Sequence, residues 1–281
     1  MPLGEEFLIL AFIFGVLIGS ISAIVGIGGG ILFIPTSIFI FGFPLKDAVV
    51  ISLFSMTGLN ISASIRYMRM KLINYRLSII YNVWDLPGVI VGAWITTVVT
   101  QNFLSGICGV LIMVLSIILF RKNHKDNSEM INFQNSKNES NSDSNINLKH
   151  KKILGVYNPV AASISSFSGG FISGLGGIGG GTADTTTMIL LGIDPKEAAA
   201  TSQFAMVFTS ISGVIIHILF GTYNDSFLWP TIMTLGAVFG AQIGTYLAIK
   251  MESIVIRKLL AAFAFYTGIL LILLMFDIDW I

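Results

Sequence analysis

Charge is absent from long stretches of this 281-residue chain. Residues 7–25 hold no Asp, Glu, Lys or Arg, and further apolar runs follow at about 31–43, 48–65, 77–99 and 103–120, then at 156–176, 182–193, 198–220, 227–249 and 256–276. A helix crosses the hydrocarbon core of a bilayer with about 20 apolar residues, and a backbone amide left unpaired in lipid costs several kcal/mol. Runs of this length therefore predict an all-α polytopic membrane protein of about 8–10 membrane segments. Charged residues are 11% of the chain and mean hydropathy is +0.84, against about 25% charged in a soluble domain. The lipid bilayer is thus the first partner, and a net charge of +1 gives no basic field for nucleic acid. The acidic opening Met1-Pro2-Leu3-Gly4-Glu5-Glu6 lacks the positive region of a secretory signal, so the first run reads as a retained helix. A single cysteine, Cys108, lies in an apolar run as a small packing residue and leaves no disulfide framework or cysteine metal cluster.

Between Arg121 and Lys152 the composition turns to Asn, Ser, Lys, Asp and Glu, which marks a disordered linker acting as a tether. It separates a first membrane repeat, residues 1–120, from a second, residues 153–281. The halves match along their length. Gly26-Ile27-Gly28-Gly29-Gly30 recurs as Gly177-Ile178-Gly179-Gly180-Gly181, and Ser52, Phe54, Met56 and Ser62 recur as Ser202, Phe204, Met206 and Ser212. Gly88 and Gly92-Ala93 recur as Gly236 and Gly240-Ala241.

Loop charge sets the orientation, because Lys and Arg near span ends stay on the cytoplasmic side. Arg66, Arg69, Lys71 and Arg76 place one loop inside, Lys250, Arg257 and Lys258 another, and the linker with Arg121, Lys122, Lys125, Lys149, Lys151 and Lys152 is also cytoplasmic. The connections at 100–102 and 221–226 and the tail 277–281 carry no Lys or Arg and belong outside with the N-terminus. Both termini are then external. Each half has five segments, an odd number, so the copies begin on opposite faces and form an inverted repeat, with Lys46 outside and Lys196 inside.

The glycine runs interrupt these helices. Each Gly lowers helix stability by about 1 kcal/mol relative to Ala, and non-helical backbone at membrane depth survives only when buried in protein or lining a cavity. The short segments after the breaks, near Ile31 and Thr182, would present helix N-termini with free N–H groups, which suit an anion. Close packing of small residues is the competing reading. Paired short, Gly-interrupted helices in an inverted repeat point to a transporter's central site. The candidate substrate-binding residues are Gly28, Gly29, Gly30, Gly179, Gly180, Gly181, Thr182, Thr201, Ser202 and Gln203. Thr185, Thr186 and Thr187 add hydroxyls nearby, and the first half offers fewer, at Thr36, Ser37, Ser52 and Ser55. Neutral donors of this kind hold an oxyanion without trapping it.

Asp184 is the candidate coupling residue, since an intramembrane carboxylate is costly and often serves a proton relay; a helix cap or dipole partner is the structural alternative. Asp85 is a second such carboxylate, and His217 reads as a packing histidine. An intramembrane enzyme would need a nucleophile with a base or a metal cluster, yet His124 and His150 fall in the linker. No catalytic residue, metal site or cofactor is assigned.

The duplicated Gly-x-Gly-Gly-Gly, Pro35 after its first copy, the pattern Gly-x-x-x-Lys-x-Ala at Gly42 to Ala48 and Gly192 to Ala198, and the pair Thr201-Ser202 resemble the sulfite exporter TauE/SafE family of membrane permeases. The resemblance covers nearly the whole chain outside the linker. It implies a plasma-membrane permease for small sulfur-containing anions such as sulfite, thiosulfate, sulfoacetate or related sulfonates, driven by a gradient of protons or another ion. By position it carries over Gly26, Gly28, Gly29, Gly30, Pro35, Gly177, Gly179, Gly180, Gly181, Thr201 and Ser202. Two departures make the halves unequal: Thr186 stands where the first copy has Pro35, and Ile51-Ser52 where the second has Thr201-Ser202. A secondary transporter working by alternating access is the leading expectation, and an anion channel of the same architecture is the alternative.

Overall fold

The computed structural model describes residues 5–98, 106, 109–110, 113–114, 116–117, 159–176, 179–191, 193–220 and 227–275. All regular structure among the described residues is helical. In the first half α1 spans Glu5–Val25, α2 Gly30–Pro35, α3 Leu45–Arg69 and α4 Tyr75–Val98. In the second, α5 spans Pro159–Gly176, α6 Gly181–Leu190, α7 Pro195–Leu219, α8 Leu228–Lys250 and α9 Ser253–Met275. Among the described residues six helices (α1, α3, α4, α7, α8 and α9) are long and apolar enough to cross a bilayer. The protein is therefore an all-α, multi-pass membrane protein. The linker at 121–152, the loop at 221–226, the tail at 277–281 and most of the segment at 103–120 lie outside the described residues; within that last segment Ser116 donates to the Ala261 carbonyl of α9 at 2.7 Å.

Local chemistry sets the helix ends. Asp194 caps α7 by accepting from the Lys196 amide at 2.9 Å, and Pro195 occupies the first helical position, where a missing N–H costs nothing. After α2 the chain widens into a π-turn over Thr36–Ile40, directly following Pro35. Gly42, at φ 68°, then donates to the Ile38 carbonyl and lets the chain reverse.

Packing pairs helices across the two halves. A Cβ at Gly236, Gly240 or Gly244 of α8 would fall 2.2, 2.2 and 2.1 Å from the carbonyls of Phe12, Val16 and Ser20 in α1. Likewise a Cβ at Gly88, Gly170 or Gly174 would fall 2.5, 2.1 and 2.3 Å from the carbonyls of Phe167, Asp85 and Val89, where α4 meets α5. Only glycine lets these backbones approach so closely. The rising residue numbers on both sides show that α1 runs parallel to α8, and α4 to α5. In α3, Gly58 packs on Thr234, the Ser62 hydroxyl donates to the Val238 carbonyl at 2.9 Å, and Arg66 donates to the Gln242 carbonyl at 3.1 Å, so α3 is parallel to α8 as well. Contacts of Asn74 with Glu197 and of Asp85 with Thr209 set α4 parallel to α7. Ile9, Ile13, Ile79, Val83, Trp94 and Phe239 are exposed on the outer surface. This is the surface that meets lipid.

Candidate functional site

The two breaks meet in the interior. Gly26, Gly28 and Gly29 take φ of 79, 78 and 92°, and Gly179 takes 86°, in the left-handed region. An L-residue there costs about 1–2 kcal/mol, so glycine is the default. Turning the chain this way frees carbonyls that a continuing helix would use. The Gly26 carbonyl accepts instead from Thr185 Oγ1 of α6 at 2.8 Å. The Ser22 carbonyl keeps its helical bond from the Gly26 amide at 2.8 Å and accepts a second one from Gln203 Nε2 of α7 at 2.9 Å. A Cβ at Gly181 would lie 2.9 Å from the Gly26 carbonyl, and one at Gly179 3.4 Å from the Ile27 carbonyl. The second half thus grips the first at its break. Gly180 differs: it follows α5 closely, and a Cβ there would stand 2.8 Å from the carbonyl carbon of Gly169.

Around this junction the protein buries polar groups that it does not satisfy. Thr182 Oγ1, Ser202 Oγ, Gln203 Oε1 and both carboxylate oxygens of Asp184 are buried without a hydrogen-bond partner among the described residues, as are the hydroxyls of Ser22, Ser37 and Ser55. Each such orphan costs about 1–3 kcal/mol in an apolar interior. In α6 the first amide with an intrahelical acceptor is that of Asp184, which donates to the Gly180 carbonyl at 3.0 Å. The amides of Gly181, Thr182 and Ala183 therefore lie in the donor-rich first turn, at the positive end of the helix. Orphan hydroxyls beside such a turn form a place where an oxyanion gains hydrogen bonds without meeting a fixed positive charge.

The chain belongs to the sulfite exporter TauE/SafE family. The family model described as "Sulfite exporter TauE/SafE" matches residues 11–271, which take in both breaks and every described helix that lines them. The chain is 26% identical over 265 residues to a probable membrane transporter protein of Bacillus subtilis, covering 87% of this chain and 90% of that one. It is 26% identical over 284 residues to a probable membrane transporter protein of Methanocaldococcus jannaschii, covering 95% and 97%. A probable membrane transporter protein of Haemophilus influenzae is 25% identical over 270 residues, covering 91% and 92%. No solved structure is significantly similar.

In this TauE/SafE protein the residues singled out from sequence divide by position. Gly28, Gly29, Gly179 and Gly181 line the junction, where Gln203 joins them and where Gly30 opens α2. Thr182 and Ser202 are buried on α6 and α7, the two helices that hold the first break, with hydroxyls that have no partner among the described residues. Thr201 is committed elsewhere, because its hydroxyl accepts from the Asn74 amide at 3.1 Å and so anchors the turn between α3 and α4. Thr36 donates back to its own helix at the Leu32 carbonyl, 2.7 Å away. His217 shares a 3.2 Å hydrogen bond with the Gly174 carbonyl. Asp184 does not cap α6; its side chain turns to α5, with Oδ1 2.9 Å from where a Cβ on Gly169 would stand. Asp85 Oδ2 accepts from Thr209 Oγ1 at 3.0 Å.

Sequence reasoning passed over Ser22, whose Oγ lies 3.1 Å from where a Cβ on Gly29 would stand, and Asn60, whose amide is buried with neither atom paired among the described residues. A lone asparagine in the apolar run 48–65 was the signal for the latter. Met56 and Met206 stand in the sequence only as a matched pair of the repeat, ordinary apolar fillers, and the structure closes the two breaks around them.

Proposed function

We propose that this protein is a secondary transporter of small sulfur-containing anions, sulfite, thiosulfate or organosulfonates, carried by alternating access around the junction of its two glycine breaks. The observation that carries this reading is the junction itself: two interrupted helices from the two halves of the chain, joined by Thr185 and Gln203, among buried hydroxyls with no hydrogen-bond partner among the described residues. Membership in the TauE/SafE family supports the sulfur-anion class.

The halves are an inverted repeat. Five residues between α3 and α4 reach at most about 18 Å, too short to recross a core of about 30 Å, so those helices are antiparallel. Since α7 follows the direction of α4, it opposes its own counterpart α3. The pairing of α1 with α8 is likewise matched by that of α5 with α4. Repeats so related can rock against each other about a fixed midplane site. Asp184 is the coupling residue, titrating with a proton or binding another cation as the anion moves. Both termini are external, the linker 121–152 is cytoplasmic, and the protein sits in the plasma membrane.

Purified protein in liposomes should take up radiolabelled sulfite or a small sulfonate saturably, and faster under an imposed ion gradient. Absence of flux for every sulfur oxyanion, with the protein shown folded, overturns the reading. Flux that does not saturate and ignores gradients would instead make it a channel.

A further inference from the structure

We infer that Met56 and Met206 are the occluding residues of the central site, two thioether bolts that must withdraw for an anion to pass between the glycine breaks. This rests on the transporter reading above. The two residues hold equivalent positions in the sequence repeat, and α3 and α7 bring both into the same gap. Met56 Cε would stand 2.9 Å from a Cβ on Gly28 and 2.4 Å from one on Gly179, so it touches both breaks. Met206 Sδ would stand 2.5 Å from a Cβ on Gly28 and 2.4 Å from one on Gly181, so it touches both as well. Relative exposures of 0% and 1% mean that neither side chain leaves room for water beside it.

Thioether chemistry suits a bolt. Methionine is unbranched and flexible, fills an irregular gap, and can leave it by rotamer change. Its methyl end offers an oxyanion neither a proton nor a charge, so an anion there loses hydration and gains nothing. Where these two side chains now lie, they obstruct the anion rather than bind it. The glycines opposite supply the complementary half: any side chain at Gly28 would collide with the bolts first.

One turn before each methionine stands a serine, and here the copies differ. Ser52 Oγ donates to Met56 Sδ at 3.8 Å. Ser202 Oγ, in the equivalent place before Met206, is fully buried and has no hydrogen-bond partner among the described residues. The same Ser-x-x-x-Met unit is latched in one half and unlatched in the other. Inverted repeats exchange conformations when a transporter turns to face the opposite side. The opposite-facing state is therefore one in which Ser202 latches Met206 and Ser52 releases Met56.

Accessibility tests this without needing the substrate. In full-length protein carrying Cys108→Ser, the variant Ser22→Cys places a reporter thiol beside Gly29, and its reaction with a water-soluble methanethiosulfonate is timed in liposomes. Met56→Ala and Met206→Ala should each raise the rate at least about tenfold, in step with the larger open population. Met56→Leu and Met206→Leu, which refill the gap, should keep the rate near that of the parent. Ser52→Ala removes the latch while leaving packing intact and should raise the rate also, which covers the case of an alanine variant that does not fold. Unchanged rates in folded variants, or leucine variants as reactive as the alanine ones, overturn the proposal. Sulfite flux measured in parallel on protein that keeps Ser22 separates the two readings: accessibility that responds to the bolts without any sulfite flux keeps the gate and rejects the substrate.

Discussion

A side chain added at Gly28 meets first the flexible ends of Met206 and Met56, whereas one added at Gly180 meets the backbone of α5 at Gly169. The two positions fall in copies of one motif, yet they predict different failures. Gly28→Ala should fold, lose about 1–2 kcal/mol to its left-handed φ, and transport poorly because the bolts are displaced. Gly180→Leu should lose several times that stability, because a backbone cannot step aside as a methionine can. Thermal unfolding in detergent, with flux measured on whatever folds, separates them. Thr185→Val should cost about 1–3 kcal/mol by orphaning the Gly26 carbonyl, while Thr185→Ser keeps the bond; equal melting of the two would mean that the bond does not join the halves. Asp184→Asn keeps the shape and removes the titratable group. It should abolish gradient-driven accumulation of anion yet leave exchange at equilibrium, a split that a purely structural carboxylate would not produce. The glycine break and Asp184 could be read from the sequence because polyglycine and carboxylate are costly at membrane depth wherever they point. Thr201 could not be read in the same way: its partner, Asn74, lies 127 positions away in sequence, and a hydroxyl pattern does not say which helix will use it.

Helix boundaries followed from apolar run length, so α1, α3, α4, α7, α8 and α9 were legible as elements. Their partners were not, because apolar periodicity says that a face is buried without saying against what. The glycines at 88, 236 and 240 appeared as marks of a repeat, and the structure makes them contact points where α4 meets α5 and α8 meets α1. The π-turn at Thr36–Ile40 was also illegible, since the run 31–43 reads as one short helix until Pro35 removes an amide and the chain widens. Close backbone approach makes the interface glycines sharper tests than the core. Gly240→Leu should push α1 off α8 and leave little monodisperse protein by size exclusion in detergent. Gly213→Ala, whose Cβ would meet only the Leu53 side chain at 3.2 Å, should stay within about 1 kcal/mol of the parent. If both behave alike, the glycine seams are not what holds the halves together.

Across the whole molecule, the contacts sort the loops to two ends. Lys196 Nζ donates to the Ile249 carbonyl at 2.9 Å, Ser253 donates to Asp194 at 2.9 Å, and Asn74 donates to Glu197 at 3.2 Å. One end therefore gathers the turn after α3, the turn before α7 and the turn after α8, the same turns that hold Arg69, Lys71 and Lys250. At the other end Phe41 and Phe43 pack on Trp229, with ring centroids 5.6 Å apart in both cases, and Phe54 packs on Phe227. The turn between α2 and α3 thus lies with the start of α8, at the opposite end from the turn between α6 and α7. Between the two ends run helices such as α3, 25 residues long, or about 37 Å at 1.5 Å per residue. Loop charge and side-chain contacts are independent of each other, and they divide the chain alike. In cells producing the Cys108→Ser protein, Lys46→Cys should react with a membrane-impermeant maleimide from outside, while Lys71→Cys and Lys196→Cys should react only after permeabilisation. Labelling of positions 46 and 196 from the same side would make the copies parallel. Alternating access by exchange of their conformations would then fail along with the inverted repeat, even if the junction still bound its anion.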